Sequence, residues 1–236
     1  GDIGRAIAVR LAKEGTTIAL LYRSHTKDEA DAFIAMLQGD GHVAFACDFG
    51  SPQEVIRIVE EAAKQLGGIE VCVHAAASPL AREKASVISL EKFKQQFEVT
   101  TFGGLGFLQA CIPHLKENKK GTIVALTTAA IEPGASAVTM AGYRAAKSAL
   151  RSVLHDLAHE LKPFNINVYA VAPGFVPTAM HKDLPARAFD FILHEQPNQT
   201  FTTPEDVAEV VYDLVTDPSV PSGTSVPVGA GEPTLL

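Results

Sequence analysis

Positive charge is scarce in this chain. Its 20 lysines and arginines stand against 27 aspartates and glutamates, a formal net charge of −7. A general nucleic-acid binder needs a basic face to displace counterions from phosphates, so that class is excluded. Cysteine is nearly absent. Cys47, Cys72 and Cys111 are odd in number, far apart and without CxxC spacing. That excludes a disulfide-stapled scaffold and a cysteine zinc site, and reads as reduced, buried thiols in a cytoplasmic protein. Long hydrophobic runs are lacking too; none approaches the ~20 apolar residues that cross a bilayer. No secretory leader pattern is visible. What the chain does have is 47% hydrophobic and 20% charged residues over 236 positions, which suits one large folded domain, residues 1–236.

Short β-branched runs alternate with longer helical patterns. Strands are expected at Thr16–Tyr22, His42–Ala46, Glu70–Ala75, Thr122–Thr127, Asn167–Ala172 and Thr224–Val228. Helices are expected near Ile3–Glu14, Asp28–Gln38, Pro52–Leu66, Leu90–Lys116, Ala141–Leu161 and Pro204–Val215. Runs such as IVALT and INVYAVA are apolar on both faces, as parallel strands covered by helices should be. The alternation predicts an α/β fold, one doubly wound parallel sheet of Rossmann type. Pro177–Thr203 has scattered apolar residues and no strand pattern, and reads as a binding loop or lid.

Three constellations carry chemistry. At the amino end, GDIGRAIAVRLAKEG opens a helix on a glycine turn, a place where free N–H groups and a positive dipole end meet a pyrophosphate. The turn comes without its strand, so the native chain is expected to extend roughly 10 to 15 residues upstream of Gly1, a strand and a turn. Tyr143-Arg-Ala-Ala-Lys147 sets a phenol and an amine four apart on one helix face. The ammonium is expected to lower the phenol pKa, so that Tyr143 exchanges a proton with a carbonyl or alcohol oxygen. Thr127 and Thr128 end one apolar strand and Ala172-Pro173-Gly174 ends another. Ligands of open α/β sheets bind beyond those carboxyl ends.

With these residues in view, the chain resembles the short-chain dehydrogenase/reductase family along nearly its whole length. The matching segments are GDIGRAIA, CDFG, VHAAAS, GTIVALTTAA, YRAAK, APGFVPT, TPEDVAE and SGTSVPVGAGEP. The general look is similar to 3-oxoacyl carrier-protein reductases. An enoyl reductase of this superfamily would carry a tyrosine seven residues before the lysine, where this chain has Met140.

The resemblance implies a Ser–Tyr–Lys group, here Thr128, Tyr143 and Lys147, with Thr127 a rival for the first place. Lys147 would also hold the nicotinamide ribose. The cofactor would be bound by Ile3, Gly4, Arg23, Ser24, Asp48, Phe49, Ala75, Ala76, Pro173, Gly174, Val176 and Thr178, with Tyr143 and Lys147. Thr100 stands where the family has its asparagine, and Asp2 would bring a carboxylate toward the pyrophosphate.

NADP(H) is expected over NAD(H). An NAD site of this fold places an acidic residue at the end of the second strand. This chain has Tyr22, Arg23 and Ser24 there, and Arg23 offers a planar fork for a 2′-phosphate.

The expected function is reduction of a small-molecule carbonyl, or oxidation of the alcohol. The alternatives are a cofactor-binding sensor with weak catalysis and, further off, a Rossmann-like methyltransferase. A homo-oligomer, dimer or tetramer, is expected from the small face Ala145, Ser148, Ala149 and Ser152. Lys116, Lys119 and Lys120 offer a docking site for an acyl carrier protein. HDLAH at His155–His159 lacks the glutamate of a zinc-protease motif, so no metal is expected, and no nucleic-acid or membrane partner.

Overall fold

The computed structural model describes residues 1–23, 27–132, 135, 138–196, 199–217, 219–229 and 233–236. Helices and strands alternate as the apolar patterning requires. In order they are α1 (Asp2–Lys13), β1 (Ala19–Tyr22), α2 (Lys27–Met36), β2 (Val43–Ala46), α3 (Pro52–Leu66), β3 (Val71–His74), α4 (Leu90–Phe97), α5 (Gly104–Glu117), β4 (Gly121–Leu126), α6 (Ala141–Leu161), β5 (Ile166–Pro173), α7 (Ala186–Glu195), α8 (Pro204–Thr216), β6 (Thr224–Val228) and β7 (Thr234–Leu235).

β1 and β2 pair in parallel, and β3-β4-β5-β6 form a second parallel run that β7 closes antiparallel. Among the described residues, β1 and β3 do not pair with each other.

The strand period of two sorts the core into two layers. Ile123, Ala125, Val168 and Ala170 face one cluster, with Val55, Leu108, Leu115, Leu150 and Leu154 from α3, α5 and α6. Val124, Leu126, Tyr169 and Val171 face the other, with Ile7 and Leu11 of α1 and Val207 and Val211 of α8. A strand apolar at every position thus serves two helical layers, which is why IVALT and INVYAVA carry no polar alternation. Tyr169 is wholly buried, and its hydroxyl escapes the cost of an unmade bond by donating to the Val220 carbonyl at 2.8 Å.

Two expected elements differ. Leu90–Lys116 is not one helix. A π-helical turn, Glu98–Gly103, separates α4 from α5. The turn lets the backbone press onto its neighbours. A Cβ on Gly103 would lie 2.5 Å from the Phe49 carbonyl, and one on Gly104 2.6 Å from His74 Nε2. Pro177–Thr203 is more ordered than its pattern suggests. It holds a 3₁₀ turn at Ala179–His181 and the helix α7, pinned by Phe175, Phe189 and Phe201, whose rings lie 5.3–6.2 Å apart. Phe189 and Phe201 make aromatic contacts, which one-dimensional periodicity does not register.

Candidate active site

The carboxyl ends of β4 and β5 and the first two turns of α6 meet in one cleft of about 100 Å³. The cleft is lined by Thr127 and Thr128 after β4, Tyr143 and Lys147 on α6, Pro173 and Gly174 at the end of β5, and Val176, Thr178, Met180 and His181 beyond it. Ile3 of α1, Leu126 of β4, and Ala75 and Ala77 after β3 close the other side.

The two threonines divide by strand alternation. The Thr127 hydroxyl donates back to the Val171 carbonyl at 3.2 Å. The Thr128 side chain points the other way and hydrogen-bonds the Tyr143 hydroxyl, while its oxygen also accepts from the Ala130 N–H at 3.3 Å. Both threonines line the cleft, and among the described residues the hydrogen bond felt by the Tyr143 phenol comes from Thr128.

Burial of Tyr143 pushes its pKa above the ordinary phenol value, and the Thr128 hydrogen bond pulls the other way. This corrects the expectation that Lys147 lowers it. Lys147 Nζ lies 5.9 Å from the centre of the Tyr143 ring and donates to the Leu126 carbonyl at 2.6 Å. Its own burial brings its pKa down to about 8.

The dinucleotide side has its own logic. Gly1 precedes α1 with no side-chain cap, so the first-turn N–H groups point outward unclaimed by a cap. Such a helix end suits a diphosphate. A Cβ on Gly4 would meet Ala75 Cβ at 3.6 Å, so the turn lies close against the end of β3. Arg23 follows β1, and its charge and that of Arg5 are both felt at Gly1. Arg5 is tied to Glu29 at 3.1 Å. Ser24 lies outside the described residues.

Several expectations need adjusting. The Asp2 carboxylate accepts from the Ala179 N–H at 3.0 Å, so it clasps the segment after β5 instead of standing free. Phe49 turns its ring inward, 5.9 Å from His74 and 5.7 Å from Phe107, and leaves Asp48 as the exposed residue after β2. Ala77 lines the cleft and Ala76 does not. Thr100 is fully engaged. Its hydroxyl accepts from the Ser78 N–H at 3.2 Å and its carbonyl lies 3.2 Å from His74 Nε2. His74 is buried without a partner for Nδ1, and burial, then the charge of Lys147, lowers its pKa to about 3. It is neutral at any ordinary pH.

Lys116 sits over the Phe164 ring at 4.1 Å and Lys120 pairs with Glu70 at 3.4 Å, so part of the basic cluster is locally satisfied. Among the described residues, no three His, Cys, Asp or Glu side chains are placed to hold a metal. No described helix is long and apolar enough to cross a membrane. Met180 and His181 were not legible as site residues. Nothing in a loop sequence marks which side chain the aromatic packing will turn toward the cleft.

Comparison with known proteins fits this geometry. A family model described as enoyl-(acyl carrier protein) reductase matches residues 2–231. Dehydrogenase/reductase SDR family member 4 of Homo sapiens is 30% identical over 244 residues, covering 99% of this chain and 84% of that protein. Among solved structures, a 3-ketoacyl-(acyl-carrier-protein) reductase from Brucella melitensis complexed with NADH superposes with a TM-score of 0.86 at 25% identity, covering 96% of this chain and 92% of that one. A short chain dehydrogenase from Burkholderia cenocepacia in complex with NADP gives 0.84 at 26% identity, covering 98% and 93%. The order of elements, the Tyr143–Lys147 helix against the β4 end and these matches agree: the chain belongs to the short-chain dehydrogenase/reductase family of oxidoreductases.

Proposed function

We propose that the protein reduces a small-molecule carbonyl, or oxidises the corresponding alcohol, with NADP(H) as cofactor. The observation that carries the reading is the convergence of the Thr128 hydroxyl, the Tyr143 hydroxyl and the Lys147 amine in one cleft beside the amino end of α1. The residues present fit a dinucleotide. The open α1 turn would hold the diphosphate, Arg23 the 2′-phosphate, Ile3, Gly4, Asp48 and Ala75 the adenosine side, and Pro173, Gly174, Val176 and Thr178 the nicotinamide. The bound nicotinamide supplies or accepts the hydride. In the reducing direction Tyr143 donates its phenolic proton to the carbonyl oxygen, and Thr128 donates a second hydrogen bond to that oxygen. The phenolate left behind is disfavoured by burial and favoured by the Thr128 hydroxyl. Burial also excludes water, which strengthens both interactions.

The description of the matching family model favours a second reading, reduction of a conjugated C=C bond. Met140 stands where that chemistry would want a tyrosine, so ketones are expected to turn over and enoyl thioesters not. The segment over residues 177–203 acts as a lid on the substrate. Ser148 and Ser152, exposed on α6, and half-buried Ala145 and Ala149 form a small-residue face for a second copy of the chain. A docked acyl carrier protein, met by Lys119 and its neighbours, is a partner this reading accommodates.

The test is a panel of ketones and enoyl thioesters with NADPH, followed by loss of reduced-nicotinamide absorbance, in the unmodified protein and in Tyr143→Phe. Turnover that falls at least a hundredfold in the variant with cofactor affinity retained is the expected result. Cofactor binding without turnover across the panel would favour the sensor reading instead.

A further inference from the structure

Three buried polar atoms left without partners belong to His181 in the cleft, to Arg82, whose charge is felt there, and to Arg144, the residue after Tyr143. They are Arg82 Nη2, Arg144 Nε and His181 Nδ1. An unmade hydrogen bond on a buried donor is costly, and such groups in native structures need an explanation. An isolated parallel bridge joins Glu83 to Met140, which lays the chain beside Arg82 against the start of α6, three residues before Tyr143 and four before Arg144. His181 lines the cleft with Tyr143, and the Arg82 charge is felt at the His181 ring. Burial, then that charge, keeps His181 below its ordinary pKa, with the Val176 backbone opposing.

The negative groups nearby do not neutralise Arg82. Its neighbour Glu83 is taken by Lys92. Asp183 is felt by Arg82, without an ion pair between the two among the described residues. A guanidinium is always charged and presents a fork matched to a carboxylate. A cation held with a buried, unspent donor beside a proton-transfer site lacks only its anion.

We propose that Arg82 is a specificity-determining residue that binds the carboxylate of an oxo-acid substrate, holding its ketone toward Tyr143, with His181 at the same end of the cleft. The proposal rests on the carbonyl-reductase reading above and narrows its substrate class to small anionic carbonyl compounds.

The test uses six-carbon oxo acids whose ketone lies at increasing distance from the carboxylate, and the methyl ester of each. In the unmodified protein with NADPH, kcat/KM for the best acid should exceed that for its ester by about ten- to a hundredfold, the worth of a charge-assisted hydrogen bond. Arg82→Gln should remove that preference by lowering the acid and leaving the ester within about threefold, and Arg82→Lys should restore part of it. Equal use of acid and ester, or equal loss of both in Arg82→Gln, would overturn the proposal. A second readout separates it from the reductase reading. Calorimetric binding of the same acids and esters to the NADPH-loaded Tyr143→Phe variant reports recognition without turnover. Preferential acid binding that Arg82→Gln abolishes supports the proposal even if the unmodified protein reduces neither, an outcome that would sink the reductase reading alone. Acid and ester binding alike would sink the anion site whatever the activity.

Discussion

Replacing Thr128 by valine changes one atom of the cleft in kind and almost nothing in shape. Thr128 is buried, 7% exposed, and its hydroxyl is the side-chain partner of the Tyr143 hydroxyl. The variant keeps the β-branched volume at the end of β4 but leaves the phenol without that partner. Two effects follow from the lost hydroxyl. The Tyr143 pKa, already raised by burial, loses the one influence that lowers it, and must rise further. The oxyanion forming on the substrate loses a donor, worth about 1.5–3 kcal/mol for a hydrogen bond to a charged group, or roughly ten- to a hundredfold in kcat/KM. The assay is the pH profile of alcohol oxidation, in which the deprotonated phenol is the base. The alkaline rise of kcat/KM should move to higher pH in Thr128→Val while its plateau falls. Thr127→Val is the matched control. Its hydroxyl serves only the Val171 carbonyl, so stability should drop by about 1 kcal/mol with the profile unmoved. A Thr128→Val profile that overlays the unmodified one within twofold, or a larger shift in the control, would refute the assignment.

Further expectations follow from other residues. Arg23→Ala should weaken NADPH binding by about ten- to a hundredfold and leave NADH nearly unchanged, measured by calorimetry; equal dissociation constants for the two cofactors in the unmodified protein would count against a 2′-phosphate site. His74 has a folded pKa of about 3 against an ordinary 6.5. Its unfolded state therefore binds a proton that the native state refuses as pH falls below 6.5, and stability is lost across that window down to about 3. His74→Gln should flatten that acid limb by up to about 1.4 kcal/mol per pH unit in denaturant titrations, and an unchanged slope would show that His74 is not its source.

The sequence alone determined the architecture, because its signals are local. A run apolar at every position needs both faces covered, and IVALT and INVYAVA received exactly two helical layers, one from α1 and α8 and one from α3, α5 and α6. The helix Ala141–Leu161 was legible to the residue, and with it the shared face of Tyr143 and Lys147, since a spacing of four is a property of the helix itself. The tertiary structure decided whatever depended on distant chain. Which threonine meets Tyr143 follows from the end of β4 against α6. The direction of the Tyr143 pKa follows from burial, which no spacing encodes and which outweighs the Thr128 hydrogen bond. The π-helical turn before α5 answers to Phe49 and His74, far off in sequence. Asp2 meets Ala179 across 177 positions, and Arg82 reaches the α6 end through the bridge at Met140. Periodicity reports which face of an element is buried. It carries no information about which other element covers that face, and the chemistry of this cleft lies in those pairings.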